Sequence, residues 1–139
     1  MDWYAAHLIQ YFKYREGRQR SFQVWENIVL VRAASADEAF DKAEQIGRED
    51  EADDDETLRM GNHPAKMVFA GVRKVVLCVD PEKRPGDGTE VSYNEMVLRS
   101  EEAIRKLAAG EPVPVTLADR FPDEPSQSKP KAGTSRKAM

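Results

Sequence analysis

The chain of 139 residues contains one cysteine, Cys78, so no internal disulfide can form. Small extracellular domains with too little core are usually stapled by paired cysteines, and that architecture is excluded. Histidine is almost as scarce. His7 and His63 are the two present, and neither has a second histidine or a cysteine three or four residues away. A zinc site of ordinary spacing is therefore not encoded, and neither metal nor cofactor is expected. Long apolar runs are missing too: the longest, residues 75–79, is far short of the roughly 20 residues a membrane helix needs. No basic segment followed by an apolar stretch comes after Met1-Asp2-Trp3, so the expected compartment is the cytoplasm. Charge of one sign is not in broad excess either. The net charge of −4 contains a concentrated run, residues 49–56, with seven acids in eight positions. Without it the body is nearly neutral, so neither nucleic acid nor a membrane surface is an expected partner.

What is present divides into a body, residues 1–121, and a tail, residues 122–139, rich in Pro, Ser and Lys and expected to be disordered. A body of about 120 residues buries roughly two-thirds of its unfolded surface and is expected to form a single domain. Residues 2–14 read as a strand with Trp3, Ala5, His7, Ile9 and Tyr11 on one side and Tyr4, Ala6, Leu8 and Phe12 on the other. A polar turn containing Gly17 leads into a second strand, residues 21–33, whose apolar pattern is interrupted by Glu26-Asn27; a bulge or a solvated patch accounts for that break. Ser35-Ala36-Asp37-Glu38 has the form of a capping box. Ala36, Ala39, Phe40, Ala43 and Ile46 follow at helical spacing, and Gly47 is placed to end the helix.

The acidic run reads as a solvated loop, with a short strand near residues 57–60. Residues 65–80 form a long strand in which Gly71 predicts a bulge or close backbone approach. Pro85-Gly86-Asp87-Gly88 marks a turn, residues 90–99 a returning strand, and Ser100 the cap of a second helix. The expected fold is α+β, in the order β-β-α-β-β-β-α. It has a mostly antiparallel sheet of about five strands, with both helices on one face.

Trp3-Tyr4-Ala5-Ala6, Glu38-Ala39 with Lys42-Ala43, Phe69-Ala70-Gly71-Val72, and Asp87-Gly88-Thr89-Glu90-Val91 with Tyr93 occur in that order. In this the chain resembles a family of small bacterial proteins classed only as a domain of unknown function. The resemblance covers about residues 3–107. It implies a bacterial cytosolic protein and carries over no activity and no site residues.

Catalytic constellations are not evident. Cys78 lies within Val75-Val76-Leu77-Cys78-Val79, where a thiol behaves as a small buried hydrophobe. His7 alternates with aromatics as a packed strand residue does, and no Gly-x-Ser-x-Gly elbow is present. The acidic run lacks the glycine and terminal glutamate of a calcium loop. The glycines near residue 86 precede no helix and lack a phosphate-binding lysine. Lys13, Arg15, Arg18 and Arg20 beside Tyr11, Phe12 and Tyr14 are too small a basic footprint for a nucleic-acid reader.

The leading expectation is a non-catalytic binding or protein-interaction module. Its candidate surface is Trp3, Tyr4, Tyr11, Trp25 and Tyr93, and its partner is another protein or a second copy of the chain. A second reading is a regulatory or immunity-type protein that turns its acidic loop on a basic partner. A third is a carboxylate-dependent enzyme gathering Glu26, Glu90 and Glu95 with Asn27 and Tyr93, and it ranks below the other two.

Overall fold

A computed structural model describes residues 1–53, 56–80 and 82–118. The expected disordered tail lies outside the described residues. Element order is β1 (Asp2–Tyr14), β2 (Val24–Ala33), α1 (Ala36–Ala52), β3 (Arg59–Met60), β4 (His63–Leu77), β5 (Met96–Val97), α2 (Glu101–Ala108) and β6 (Thr116–Leu117). The first four strands make an antiparallel sheet in the order β2-β1-β4-β3, and β5 pairs with β6 in a separate two-stranded sheet. The fold is α+β.

Strand β1 is central because both of its faces are apolar, and its parity sets divide as the sequence predicts. Tyr4, Ala6 and Leu8 enter the core together with Val31 and Ala33 of β2, Val72 and Val75 of β4, and Ala39, Phe40 and Ala43 of α1. Alanines at the helix contact let α1 lie close to the sheet. The helix starts where the capping box places it: Ser35 Oγ accepts from Glu38 N at 3.1 Å, and Glu38 Oε1 accepts from Ala34 N at 2.7 Å.

Gly47 does not end this helix. It is buried within it, and a Cβ there would lie 2.3 Å from the Phe69 ring, so the glycine is required by packing. Helix α1 continues through Glu49, Asp50 and Glu51 to Ala52, so the first half of the acidic run is helical where a loop was expected.

Gly71 does mark an irregular stretch. The β1–β4 register shifts twice beside it, between His7 and Leu8 and between Ile9 and Gln10, leaving Arg73 and Ala70 as extra residues on β4. Both Val72 and Val75 face the core although they are three residues apart. The bulge therefore sends two consecutive residues, Arg73 and Lys74, to the opposite face.

The structure also departs from expectation after β4. Of the predicted strand 90–99, Met96 and Val97 alone pair as a strand. Most of the preceding segment is coil lying over the sheet face opposite α1, with Val91, Ser92 and Tyr93 half-buried. Helix α2, expected beside α1, makes no extensive contact with the four-stranded sheet and buries none of its residues. Its stripe is too short and too alanine-rich to compete for that face, and Ile104 and Leu107 stay exposed.

Candidate functional site

Two constellations flank the central sheet. On the face away from α1, His7 is fully buried at the middle of β1. Its Nδ1 lies 2.6 Å from Glu26 Oε2 on β2, and its Nε2 meets Ser92 Oγ from the covering coil. A carboxylate only accepts, so Nδ1 carries the proton and Nε2 accepts from the serine hydroxyl. The bulge residue Arg73 places Nε and Nη2 at 2.9 and 2.7 Å from the same Glu26 oxygen, and Nη2 also donates to Asn94 Oδ1 at 2.9 Å. Lys74, also buried, donates to the Tyr93 carbonyl and sits 4.8 Å from the Tyr93 ring centre.

Electrostatics follow from this packing. Burial lowers the His7 pKa, with the positive charges of Lys74 and Arg73 adding to it, and together they outweigh the Glu26 hydrogen bond and charge that favour protonation. Burial alone would raise the Glu26 pKa. Its hydrogen bonds to Arg73 and His7, with their charges, outweigh burial and hold it below the usual carboxylate range. Burial also pushes the Cys78 thiol up, in keeping with an inert side chain.

Serine, imidazole and carboxylate stand here in the order of a nucleophile relay. The same bonds also fasten the fold. His7 is sealed beneath the coil that carries Ser92, and Arg73 already neutralises the carboxylate that would support the imidazole. Cavities of about 190 Å³ (beside Ile9, Gly71 and Arg73) and about 210 Å³ (described below) are lined by neither His7 nor Ser92. The cluster ties the 92–94 coil to β1, β2 and β4.

A pH dependence follows. Unfolded His7 titrates near its ordinary value of about 6.5, whereas folded His7 resists protonation. The unfolded state therefore binds the extra proton as pH falls below about 6.5, and stability decreases from there until the folded pKa is reached. Glu26, depressed in the fold, adds its own loss when pH falls through its lowered pKa. Urea denaturation between about pH 7 and 5 is expected to show a falling midpoint in the native protein and a flatter profile in His7→Gln.

The second constellation lies on the α1 side, at the far end of the sheet. Phe12 and Trp25 cross edge-to-face, with ring centres 4.9 Å apart and planes at 80°. Together with Leu58 and Met67 they line the cavity of about 210 Å³, whose remaining walls are Asp50, Glu51 and Asp53 at the end of α1. No basic residue occupies the last turn of α1. Carboxylates there face the negative end of the helix dipole, an unfavourable placement of about 0.3–1 kcal/mol each.

The five aromatics singled out in the sequence do not form one surface. Tyr4 is buried in the core. Trp25 lines the cavity on the α1 side. Trp3 and Tyr11 share the opposite face with His7, where the Arg32 guanidinium lies 5.5 Å from the Trp3 ring centre and Tyr11 crosses Phe22 edge-to-face. Tyr93 belongs to the covering coil. Asn27 bonds to Gln10 on the face opposite Glu26, and Glu90 and Glu95 lie in coil, where strands were expected. Sequence reading missed Arg73, Lys74 and Ser92. The Val72-x-x-Val75 spacing signals the first two, and nothing local signals the third.

A four-stranded antiparallel sheet with one helix across it defines the class of fold. The chain belongs to the family described as Domain of unknown function (DUF4288), whose model matches residues 3–92. That span includes all four main strands, α1 and Ser92, and stops before β5. No curated protein and no solved structure matches the chain.

Proposed function

We propose that this protein is a non-catalytic interaction module that captures a basic protein segment at the cavity between β1, β2 and the end of α1. The observation that carries the reading is the convergence of three carboxylates with Phe12 and Trp25 on one opening. An aromatic face attracts a cation through its quadrupole, by about 0.5–2 kcal/mol depending on desolvation. Carboxylates gathered at the negative end of a helix add a field of the same sign preference. A lysine or arginine side chain fits this chemistry: its stem lies along Leu58 and Met67 while its head meets the acids. The regulatory reading of the acidic run joins the same site, since the basic partner is what relieves the crowded carboxylates.

The test uses an oligolysine peptide and Trp25 fluorescence in a Trp3→Phe background, where Trp25 is the remaining tryptophan. Saturable binding that weakens with salt is expected. Asp50→Asn, Glu51→Gln and Asp53→Asn together should weaken it at least about tenfold, and Trp25→Ala, followed by titration calorimetry because it removes the fluorescent reporter, by about three- to tenfold. Unchanged affinity in the triple variant, with helicity retained, would defeat the proposal.

A further inference from the structure

Strand β2 lies at the edge of the four-stranded sheet, and among the described residues no strand pairs with its outer side. The direction of its backbone groups follows from the ladder. Phe12 N donates to Gln23 O at 3.2 Å, and these two residues continue the β1–β2 register as directly opposed partners. Bonded and non-bonded pairs alternate in an antiparallel ladder, so Trp25, Asn27, Val29, Val31 and Ala33 bond inward to β1. Val24, Glu26, Ile28, Leu30 and Arg32 point their N–H and C=O groups outward. Lys42 confirms this geometry, since its Nζ reaches the outward carbonyl of Arg32 at 2.6 Å.

Edges of this kind are normally blunted by proline, a bulge, or an inward-pointing lysine. Here β2 has no proline, and its pairing with β1 runs from Asp2–Ala33 to Tyr11–Val24 without a register shift. Lys42 guards the last carbonyl alone. Side chains beside the open stretch are apolar and exposed: Val24 55%, Ile28 47% and Leu30 38%.

From this edge we infer that the chain forms a two-fold dimer by antiparallel β2–β2 pairing, with the axis at Val29. The strand is complementary to its own reverse about that residue. Ile28 then opposes the partner's Leu30, apolar on apolar, and Glu26 opposes the partner's Arg32, acid on base. All four of these residues belong to the outward-bonding set, so the Ile28–Leu30 pairs can exchange backbone hydrogen bonds directly, and the Glu26–Arg32 pairs once Lys42 leaves the Arg32 carbonyl. The two central Ile28–Leu30 pairs form without displacing Lys42. The same patch serves both copies, as a two-fold interface requires. The result is a continuous eight-stranded sheet with both α1 helices on one face. Pairing with Ile28 opposite itself sets Glu26 against Leu30, and pairing about Asn27 sets it against Ile28. Both set an apolar residue in place of a base opposite Glu26, whose Arg73 partner lies on its own chain.

Sedimentation equilibrium over a concentration series tests the inference directly. The native protein is expected at twice its 15.7 kDa mass. Ile28→Lys should weaken association at least about tenfold, because the two-fold axis introduces the lysine twice. This site is half exposed, and circular dichroism should show an unchanged fold. Val29→Cys reports register, since the axis brings the two introduced thiols together, and mild oxidation should yield a covalent dimer. A native protein that stays monomeric throughout the series overturns the inference. So does a dimer whose affinity ignores Ile28→Lys, or one that fails to cross-link through Val29→Cys. None of these readouts involves the cavity acids or lysine peptides, so this dimer and the proposed function fail separately.

Discussion

Arg73→Ala should destabilise the fold by about 3 kcal/mol, near the lower end of the 3–5 kcal/mol found when one member of a buried ion pair is removed. Arg73 is 11% exposed and Glu26 24%, so the carboxylate left behind keeps some contact with water, which places the loss near the lower bound. The guanidinium contributes two bonds to Glu26 and one to Asn94. Alanine supplies none of them. Asn94 lies in the coil above His7, so the same change loosens the cover of the sheet face. A loss this large is a substantial part of the 5–15 kcal/mol that holds an ordinary domain together.

Two companions separate charge from geometry. Arg73→Lys keeps a cation but loses the planar fork, and should fall between native and alanine. In Arg73→Ala combined with Glu26→Ala the destabilisation should be well below the sum of the single changes, because the second removes the group the first left unpaired. Urea titrations check both. Histidine titration by nuclear magnetic resonance adds a readout that loss of packing alone would not move. Arg73 helps hold His7 neutral, so its removal should shift the His7 pKa upward.

How far these residues could be read from the sequence depended on the range of the signal. β1, β2 and the start of α1 were legible, because two-residue and 3.6-residue periods and a capping box are local patterns. Glu26-Asn27 was visible as a break in an apolar strand, but its meaning was not. Glu26 turns to partners 19 and 47 residues away, whereas Asn27 turns to Gln10 on the other face. Gly47 was read as a helix stop because glycine commonly occupies that position, and the aromatic ring that demands it comes from Phe69 on another element. Residues 90–94 alternate polar and apolar as a strand would. The structure places that pattern in a coil whose consecutive residues Val91, Ser92 and Tyr93 are all half-buried, held by the Ser92–His7 and Tyr93–Lys74 bonds in place of a ladder. The sequence carries the two halves of the cavity separately, as an aromatic hairpin and an acidic run. Their meeting depends on α1 continuing past Gly47, which is a packing fact.

That dependence makes Phe40→Ala the sharpest test of the architecture, with an expected loss of about 3–5 kcal/mol. Helix α1 buries Ala39, Phe40, Ala43 and Gly47, and of these Phe40 alone has a large side chain. It is 6% exposed and packs in the same cluster as Tyr4, Leu8, Val72 and Val75. Removing the ring leaves alanines, a glycine and the partly buried Ile46 to hold the helix, with little area to replace what is lost. The far end of α1 is already strained by carboxylates facing the dipole, so it should fray first. Amide hydrogen exchange should therefore quicken most in residues 47–52. Affinity for oligolysine should fall under conditions where the sheet remains folded, because Asp50, Glu51 and Asp53 hold their positions only while the helix is docked. Phe40→Leu keeps most of the apolar volume, should cost roughly 1 kcal/mol, and should leave peptide binding close to native. Equal losses in the two variants would mean that α1 is anchored elsewhere, and that the acidic wall of the cavity does not depend on this ring.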